Sequence, residues 1–172
     1  ILREDVDQRI RAVMIVHNET STGVTADLPA IRRAIDAANH PALLLSDGVS
    51  AIGSLDYRHD EWQVDVAITG SQKGLMLPAG LALVAFSPKA RAAVEHGAPR
   101  SYFDLRPVLA QNATGYFPET PSIPLLDGLR ESLTMLYDEG MERVIARHQL
   151  AHLRHREITL KVDHQVLAEV LD

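Results

Sequence analysis

The side chains best suited to chemistry follow three short apolar runs of the sequence. Residues 17–20 follow the first run, Asp47 closes the second, and Ser71-Gln72-Lys73 follow the third. Ligands of open α/β sheets collect outside the carboxyl ends of the strands, so these groups are expected to meet at one edge. Taken alone, such a carboxylate is more often a turn residue, and such a lysine is more often a solvated loop residue.

Taken together, Asp47 and Lys73 suggest the chemistry of a small aromatic cofactor. A lysine enclosed in a pocket can lose its proton and attack a carbonyl carbon. A carboxylate that faces a pyridine nitrogen keeps that nitrogen protonated, which makes the ring an electron sink. Glycines 70, 74 and 80 would let the backbone near Lys73 approach a planar group closely. The pattern fits pyridoxal-phosphate chemistry, which spacing alone leaves as a hypothesis.

Four apolar runs predict the strands that would position these groups, at residues 11–17, 42–47, 64–70 and 81–86. Such runs are typical of buried strands in a parallel sheet. Between the first two, Asp27 is expected to cap a helix that has Pro29 in its first turn. Strand, helix and strand in succession predict a βαβ unit, and hence an α/β fold with a parallel or mixed sheet and flanking helices.

The helix after Asp27 is expected to be amphipathic. Its core face would carry Ile31, Ala34, Ile35 and Ala38. Its solvent face would carry Arg32, Arg33 and Asp36.

The second half of the chain has a different character. Residues 88–95 predict a short helix, and residues 97–122, rich in Pro, Gly, Ser and Asn, predict a long loop with one brief helix. A loop of that length usually has a function or a partner. From Ile123 onward the periodicity is helical, and Gly140 is expected to separate two helices.

Composition sets limits on the class of protein. The 172 residues carry a net charge of −6 and include no cysteine. The sequence therefore offers no disulfide, thiolate metal site or thiol nucleophile. Its acidity argues against a nucleic-acid partner, and no apolar stretch approaches the ~20 residues that cross a bilayer. With no signal-peptide pattern, a cytoplasmic protein without a membrane partner is expected.

Several segments together resemble one known family, the class V aminotransferases. They are residues 16–24 (VHNETSTGV), 44–53 (LLSDGVSAIG) and 70–75 (GSQKGL), supported by 56–62, 99–102, 115–118 and 128–132. The resemblance covers about residues 10–155 and is greatest to the serine–glyoxylate and alanine–glyoxylate enzymes. It implies a fold type I, pyridoxal 5′-phosphate-dependent aminotransferase that moves an amino group from serine or alanine to glyoxylate.

The resemblance also implies a role for individual residues around the cofactor. Lys73 matches the lysine that forms an aldimine with the cofactor and later moves the substrate proton. Asp47 matches the partner of the pyridine nitrogen, and Val49 matches the apolar contact on the ring face. Thr20 matches the hydroxyl near the phenolic oxygen, and Gln72 matches a phosphate contact.

A sixth residue, Thr120, matches one that reaches the phosphate site of the partner subunit in a homodimer. That match is looser, because Glu119 stands where a tyrosine often precedes it. A homodimer would also explain the long loop at 97–122. The substrates implied are a small amino acid and a 2-oxo acid.

The resemblance implies an incomplete large domain. Residues 1–122 would form part of the cofactor-binding domain, and residues 123–172 would form a helical segment that leads toward an absent small domain. The arginine that binds the substrate carboxylate would lie in that absent domain, and from about residue 157 the family pattern is no longer recognisable. The chain is therefore expected to be a fragment or a truncated form, and its activity in isolation is left open.

Two other functions remain open. A cysteine desulfurase or another class V lyase would need a nucleophilic cysteine, and it usually has histidine where Gln72 stands. A non-catalytic, truncated module is the other alternative. His148, His152 and His155 share a helical face, but neighbouring arginines would repel a cation, so they are interpreted as a solvated stripe and no metal site is expected. Trp62 is interpreted as a packing residue.

Overall fold

The computed structural model describes residues 1–98 and 100–153, and it contains a four-stranded sheet with helices. The strands are β1 (Ala12–Val16), β2 (Leu43–Asp47), β3 (Val66–Gly70) and β4 (Ala82–Phe86). The helices are α1 (Leu28–Ala37), α2 (Pro88–Glu95), α3 (Leu105–Asn112), α4 (Ile123–Glu139) and α5, which occupies residues 141–153 of the described chain. The four predicted strands and the predicted order of helices are confirmed.

The strands lie in the order β1-β2-β3-β4, with the first two pairings parallel and the last antiparallel. Val16 lies opposite Asp47, and Asp47 lies opposite Ile68. The carboxyl ends of β1, β2 and β3 therefore share one edge of the sheet, as the sequence predicts. The expected mixed, mainly parallel sheet is confirmed.

One face of the sheet packs against α1 and forms the core. Leu28 and Ile35 of the helix meet Leu44 and Ala67 of the sheet, and all four are buried. Trp62 packs against the same cluster, which confirms its structural interpretation. Asp27 caps the helix as predicted, because its carboxylate accepts from the backbone N–H of Ala30 at 2.8 Å.

The predicted faces of α1 are wrong at two positions. Ala34 is exposed, whereas the Arg32 side chain is buried. Arg32 is buried because it finds carboxylates, one at Asp36 (2.6 Å) and one at Asp65 (3.7 Å). A buried guanidinium is tolerated where such partners accompany it.

Asp65 is itself a buried charge, and its partners come from three parts of the chain. Its carboxylate accepts from the backbone N–H of Leu44 and from the hydroxyl of Ser87, both at 2.8 Å. Lys89 lies 3.9 Å away, in addition to Arg32. These contacts fasten β2, α1 and α2 together at the edge of the sheet where β2 and β3 begin.

The opposite face of the sheet is open within the described residues. Met14 and Val16 of β1, Ile68 of β3 and Val84 of β4 are exposed on it. The Asp47 side chain belongs to the same face, because Asp47 pairs with Val16 and Ile68 in register.

Helices α4 and α5 turn about Gly140, whose φ of +83° suits glycine. Leu136 of α4 and Val144 of α5 are buried together with Leu75. The predicted separation of two helices at Gly140 is confirmed. Among the described helices, none is both long enough and apolar enough to cross a membrane.

Replacing Asp65 by alanine should lower the free energy of unfolding by about 3–5 kcal/mol, because it leaves Arg32 buried with less compensation. Asp60→Ala removes an exposed carboxylate and serves as the matched control, with an expected change within about 0.5 kcal/mol. Urea titration followed by the fluorescence of Trp62 measures both variants. Equal effects of the two substitutions would contradict the role given to Asp65.

Candidate functional site

Asp47 projects from the carboxyl edge of the sheet. Its backbone is held inside the sheet, since its carbonyl accepts from the N–H of His17 at 2.9 Å. The Asp47 carboxylate is exposed and accepts from the N–H of Val49 at 2.9 Å. This arrangement fixes a negative charge at the end of β2 and leaves its second oxygen accessible.

The loop that carries Lys73 packs directly on the loop that follows β2. A Cβ atom on Gly74 would lie 2.3 Å from the carbonyl oxygen of Ile52, and one on Gly53 would lie 2.7 Å from the carbonyl carbon of Gly74. Gly53 also has a φ of +87°. Only glycine fits at either position, because any side chain would force the two loops apart.

Further contacts hold the same loop from within and from behind. The N–H of Met76 donates to the carbonyl of Lys73 at 2.9 Å, and the N–H of Leu77 donates to the carbonyl of Ser71 at 3.0 Å. From α4, the buried hydroxyl of Ser132 donates to the carbonyl of Leu75. The backbone of Lys73 is therefore fixed, whereas its side chain is exposed.

A cavity of about 440 Å³ opens beside Lys73. Its wall comes from the loop after β1, the loop after β2, the lysine loop and α5. The residues that line it are Asn18, Thr20, Ser50, Ser54, Lys73, Gly74, Met76, Arg147 and His148. The hydroxyls of Thr20 and Ser50 lie 2.6 Å apart and join two of these loops.

The structure brings some of the predicted site residues together and separates others. Thr20 and Lys73 line the same cavity. Asp47 and Val49 do not line it, although they belong to the loop that supplies Ser50. Gln72 is exposed, with its amide oxygen 2.8 Å from the point where a Gly70 Cβ would lie. Thr120 is exposed and lies outside the cavity lining.

Arg147 and His148, which α5 contributes to the cavity, are among the lining residues that the sequence interpretation missed. The reading of the histidines as a solvated stripe is wrong for His148, which is half-buried in the cavity wall. The same interpretation agrees with the exposure of His152, and His155 lies outside the described residues. The sequence did hold a signal, because His148 follows the apolar residue Val144 by four positions and so shares its helical face. The structure shows that Val144 is buried.

His17, the residue after β1, is buried against two aromatic side chains. Its ring centroid lies 5.3 Å from that of Tyr57 and 5.8 Å from that of Trp62. Burial lowers the pKa of the His17 imidazole, and the charge of Asp56 opposes this only in part. No described residue is hydrogen-bonded to Nδ1 of His17. The imidazole is therefore neutral near pH 7 and would be costly to protonate in place.

Replacing Gly74 by alanine should loosen the lysine loop. The new Cβ would displace the backbone at Ile52, so the amides of Met76 and Leu77 should exchange with deuterium faster. Gly115→Ala is the control, because alanine is strained there by the positive φ (+82°) but its Cβ would meet nothing within 4 Å. Hydrogen exchange read by NMR or mass spectrometry measures this, and equal protection in both variants would count against the contact.

The protein should lose stability as the pH falls from about 7 to 5. Because the pKa of His17 is lower when folded than its unfolded value of about 6.5, the unfolded chain binds the proton first. His17→Phe should reduce this loss, so that the slope of the free energy of unfolding against pH becomes smaller by up to about 1.4 kcal/mol per pH unit. His152→Gln, at an exposed site, should retain it. Urea titrations at several pH values decide, and an unchanged slope for His17→Phe would refute the assignment.

The amino-acid sequence matches the family model for class V aminotransferases over residues 1–169. It is 58% identical over 153 residues to the serine–glyoxylate aminotransferase of Methylorubrum extorquens, covering 86% of this chain and 38% of the relative. It is 55% identical over 149 residues to the L-aspartate–glyoxylate aminotransferase of Paracoccus denitrificans, with the same coverage.

Comparison of structures leads to the same group. The pyridoxamine–pyruvate aminotransferase of Mesorhizobium loti superposes with a TM-score of 0.73 at 30% identity, over 86% of this chain and 38% of that protein. The chain thus spans a little over a third of the length of the relatives it matches.

Proposed function

Because the chain belongs to the class V aminotransferase family, we propose that it carries the lysine-bearing part of a pyridoxal 5′-phosphate-dependent aminotransferase. The reaction proposed is transfer of an amino group from serine or alanine to glyoxylate. The observation that carries it is the placement of Lys73 and Thr20 in one cavity, at the sheet edge where Asp47 presents its carboxylate. The protein is proposed to act in the cytoplasm.

The residues at this edge fit the cofactor chemically. We assign Asp47 to the ring nitrogen, Val49 to the ring face, Thr20 to the phenolic oxygen and Gln72 to the phosphate. Lys73 supplies the amine that bonds to the aldehyde carbon. When bound, a pyridine ring protonated on nitrogen takes up the electrons left when a bond to the substrate Cα breaks.

The work of the protein in this proposal is to position groups and move one proton. Nζ of Lys73 would accept the proton from the substrate Cα and would later return it. The Gly53–Gly74 contact fixes the backbone from which that amine extends. The carboxylate of Asp47 keeps the ring nitrogen protonated, and Ser50 holds the hydroxyl of Thr20.

A second copy of the chain completes the proposal. The rings of Tyr102 and Phe103 meet edge to face, with centroids 4.5 Å apart, and both residues are exposed in the segment before α3. Exposed apolar clusters of this kind often mark protein contacts. We propose a homodimer in which the segment 97–122 crosses to the partner subunit and brings Thr120 to the phosphate group of the cofactor that the partner subunit binds.

The division of the chain also belongs to the proposal. Residues 1–122 would form part of the cofactor-binding domain, and residues 123–172 would lead toward a second domain. The segment 154–172 lies outside the described residues.

The purified chain mixed with pyridoxal 5′-phosphate should develop a visible absorbance band. Borohydride should remove the band and fix the cofactor to Lys73, as peptide mass spectrometry would show. Lys73→Arg keeps the charge but removes the primary amine, so neither band nor adduct should form. Lys89→Arg is the matched control and should behave as the parent chain does.

An adduct spread over Lys73, Lys89 and Lys161 alike would contradict the assignment of Lys73. A folded chain that gives no band would contradict cofactor binding by this chain and favour a non-catalytic module. A band accompanied by release of sulfide from cysteine would favour a desulfurase.

A further inference from the structure

Among the described residues, those that line the cavity beside Lys73 include two cationic side chains and no carboxylate, although the chain has a net charge of −6. Lys73 and Arg147 supply the two cations. The hydroxyl and amide groups around them belong to Asn18, Thr20, Ser50 and Ser54. A cavity of this composition attracts small anions, because fixed charges of one sign raise the local concentration of the opposite charge.

Arg147 is held in a defined orientation by Glu139. Its Nε and Nη2 donate to the two carboxylate oxygens at 2.8 and 2.9 Å. Glu139 does not line the cavity, and the hydrogen bonds from Arg147 lower the pKa of its carboxyl. The second terminal nitrogen of Arg147, Nη1, donates to no described residue. A fork fixed in this way loses little further entropy when it binds a carboxylate.

His148 adds a polar contact beside Arg147 without adding charge. Burial lowers the pKa of its imidazole, and the neighbouring Arg147 lowers it further. The ring is therefore neutral near pH 7. His148 also lines an adjoining cavity of about 550 Å³, so it stands between the two spaces.

We propose that Arg147 binds the carboxylate of the small 2-oxo acid substrate in the cavity beside Lys73. This inference rests on the proposed function, which makes the nitrogen of Lys73 the group nearest the reacting carbon. It places an arginine of this chain at the substrate, in addition to any that a second domain supplies. In every 2-oxo acid, including glyoxylate, the carboxylate and the reacting carbonyl lie on adjacent carbon atoms, so a cation in the same cavity as Lys73 can bind the first while the amine meets the second.

The test compares two aldehydes as probes of the chain alone. Glyoxylate or acetaldehyde condenses with a lysine amine and loses water, and cyanoborohydride then reduces the C=N bond to a stable secondary amine. Peptide mass spectrometry gives the labelling rates at Lys73 and at Lys89, which serves as an internal reference. The glyoxylate-to-acetaldehyde ratio should be about tenfold higher at Lys73, as one charge-assisted hydrogen-bonded contact would provide.

Arg147→Gln should reduce this ratio at Lys73 to that of Lys89, and taking the ratio of the two aldehydes cancels any change in the reactivity of the amine itself. Arg130→Gln is the matched control, because Arg130 is exposed and pairs with Asp127 on α4, and it should keep the preference. Glu139→Gln retains Arg147 and should keep or increase it. This third variant covers the case in which Arg147→Gln fails to fold.

Equal ratios at Lys73 and Lys89 in the parent chain would overturn the proposal, as would a preference that survives in folded Arg147→Gln. A lost preference in Glu139→Gln would overturn it as well. The assay contains no pyridoxal 5′-phosphate, so its outcome is independent of cofactor binding. Failure of the cofactor band with a preserved preference would locate the error in the proposed function instead.

Discussion

The buried carboxylate of Asp65 is the interaction on which the rest of the fold depends. A charge removed from water must be paired, and the partners of Asp65 come from α1, from the start of β2 and from the segment that opens α2. Meeting that requirement fixes the edge of the sheet where β2 and β3 begin. Because β1, β2 and β3 are parallel and in register, it also fixes where their carboxyl ends lie.

A second constraint, a backbone contact between two loops, positions the candidate site relative to the sheet. The loops after β2 and β3 touch backbone to backbone at Gly53 and Gly74, so neither can move without the other. Asp47 stands at the start of the first loop, and Lys73 immediately precedes the contact in the second. Main-chain atoms thus set the separation of the backbone at Asp47 from the backbone at Lys73, while both side chains remain accessible. Helices α4 and α5 support the lysine loop and add Arg147 and His148 to its cavity.

The sequence predicts the local elements well and the tertiary pairings less well. Apolar runs locate all four strands, and Asp27 and Gly140 locate helix ends, because these signals lie within a few residues. Arg32 is misjudged, since its burial depends on Asp65, 33 positions away. His148 is misjudged because its environment depends on where α5 packs. A run as short as residues 81–86 does not encode direction, so the antiparallel pairing of β4 needed the structure. The roles of Lys73, Asp47, Thr20, Val49, Gln72 and Thr120 stay predictions drawn from resemblance.

The central claim is that pyridoxal 5′-phosphate binds between Asp47 and Lys73. The most direct measurement is a crystal structure of the protein grown with the cofactor. The account predicts continuous density from Nζ of Lys73 to the cofactor, with a carboxylate oxygen of Asp47 at about 2.7–2.9 Å from the ring nitrogen. A cofactor bonded to another lysine, or a ring nitrogen that faces away from Asp47, would contradict it.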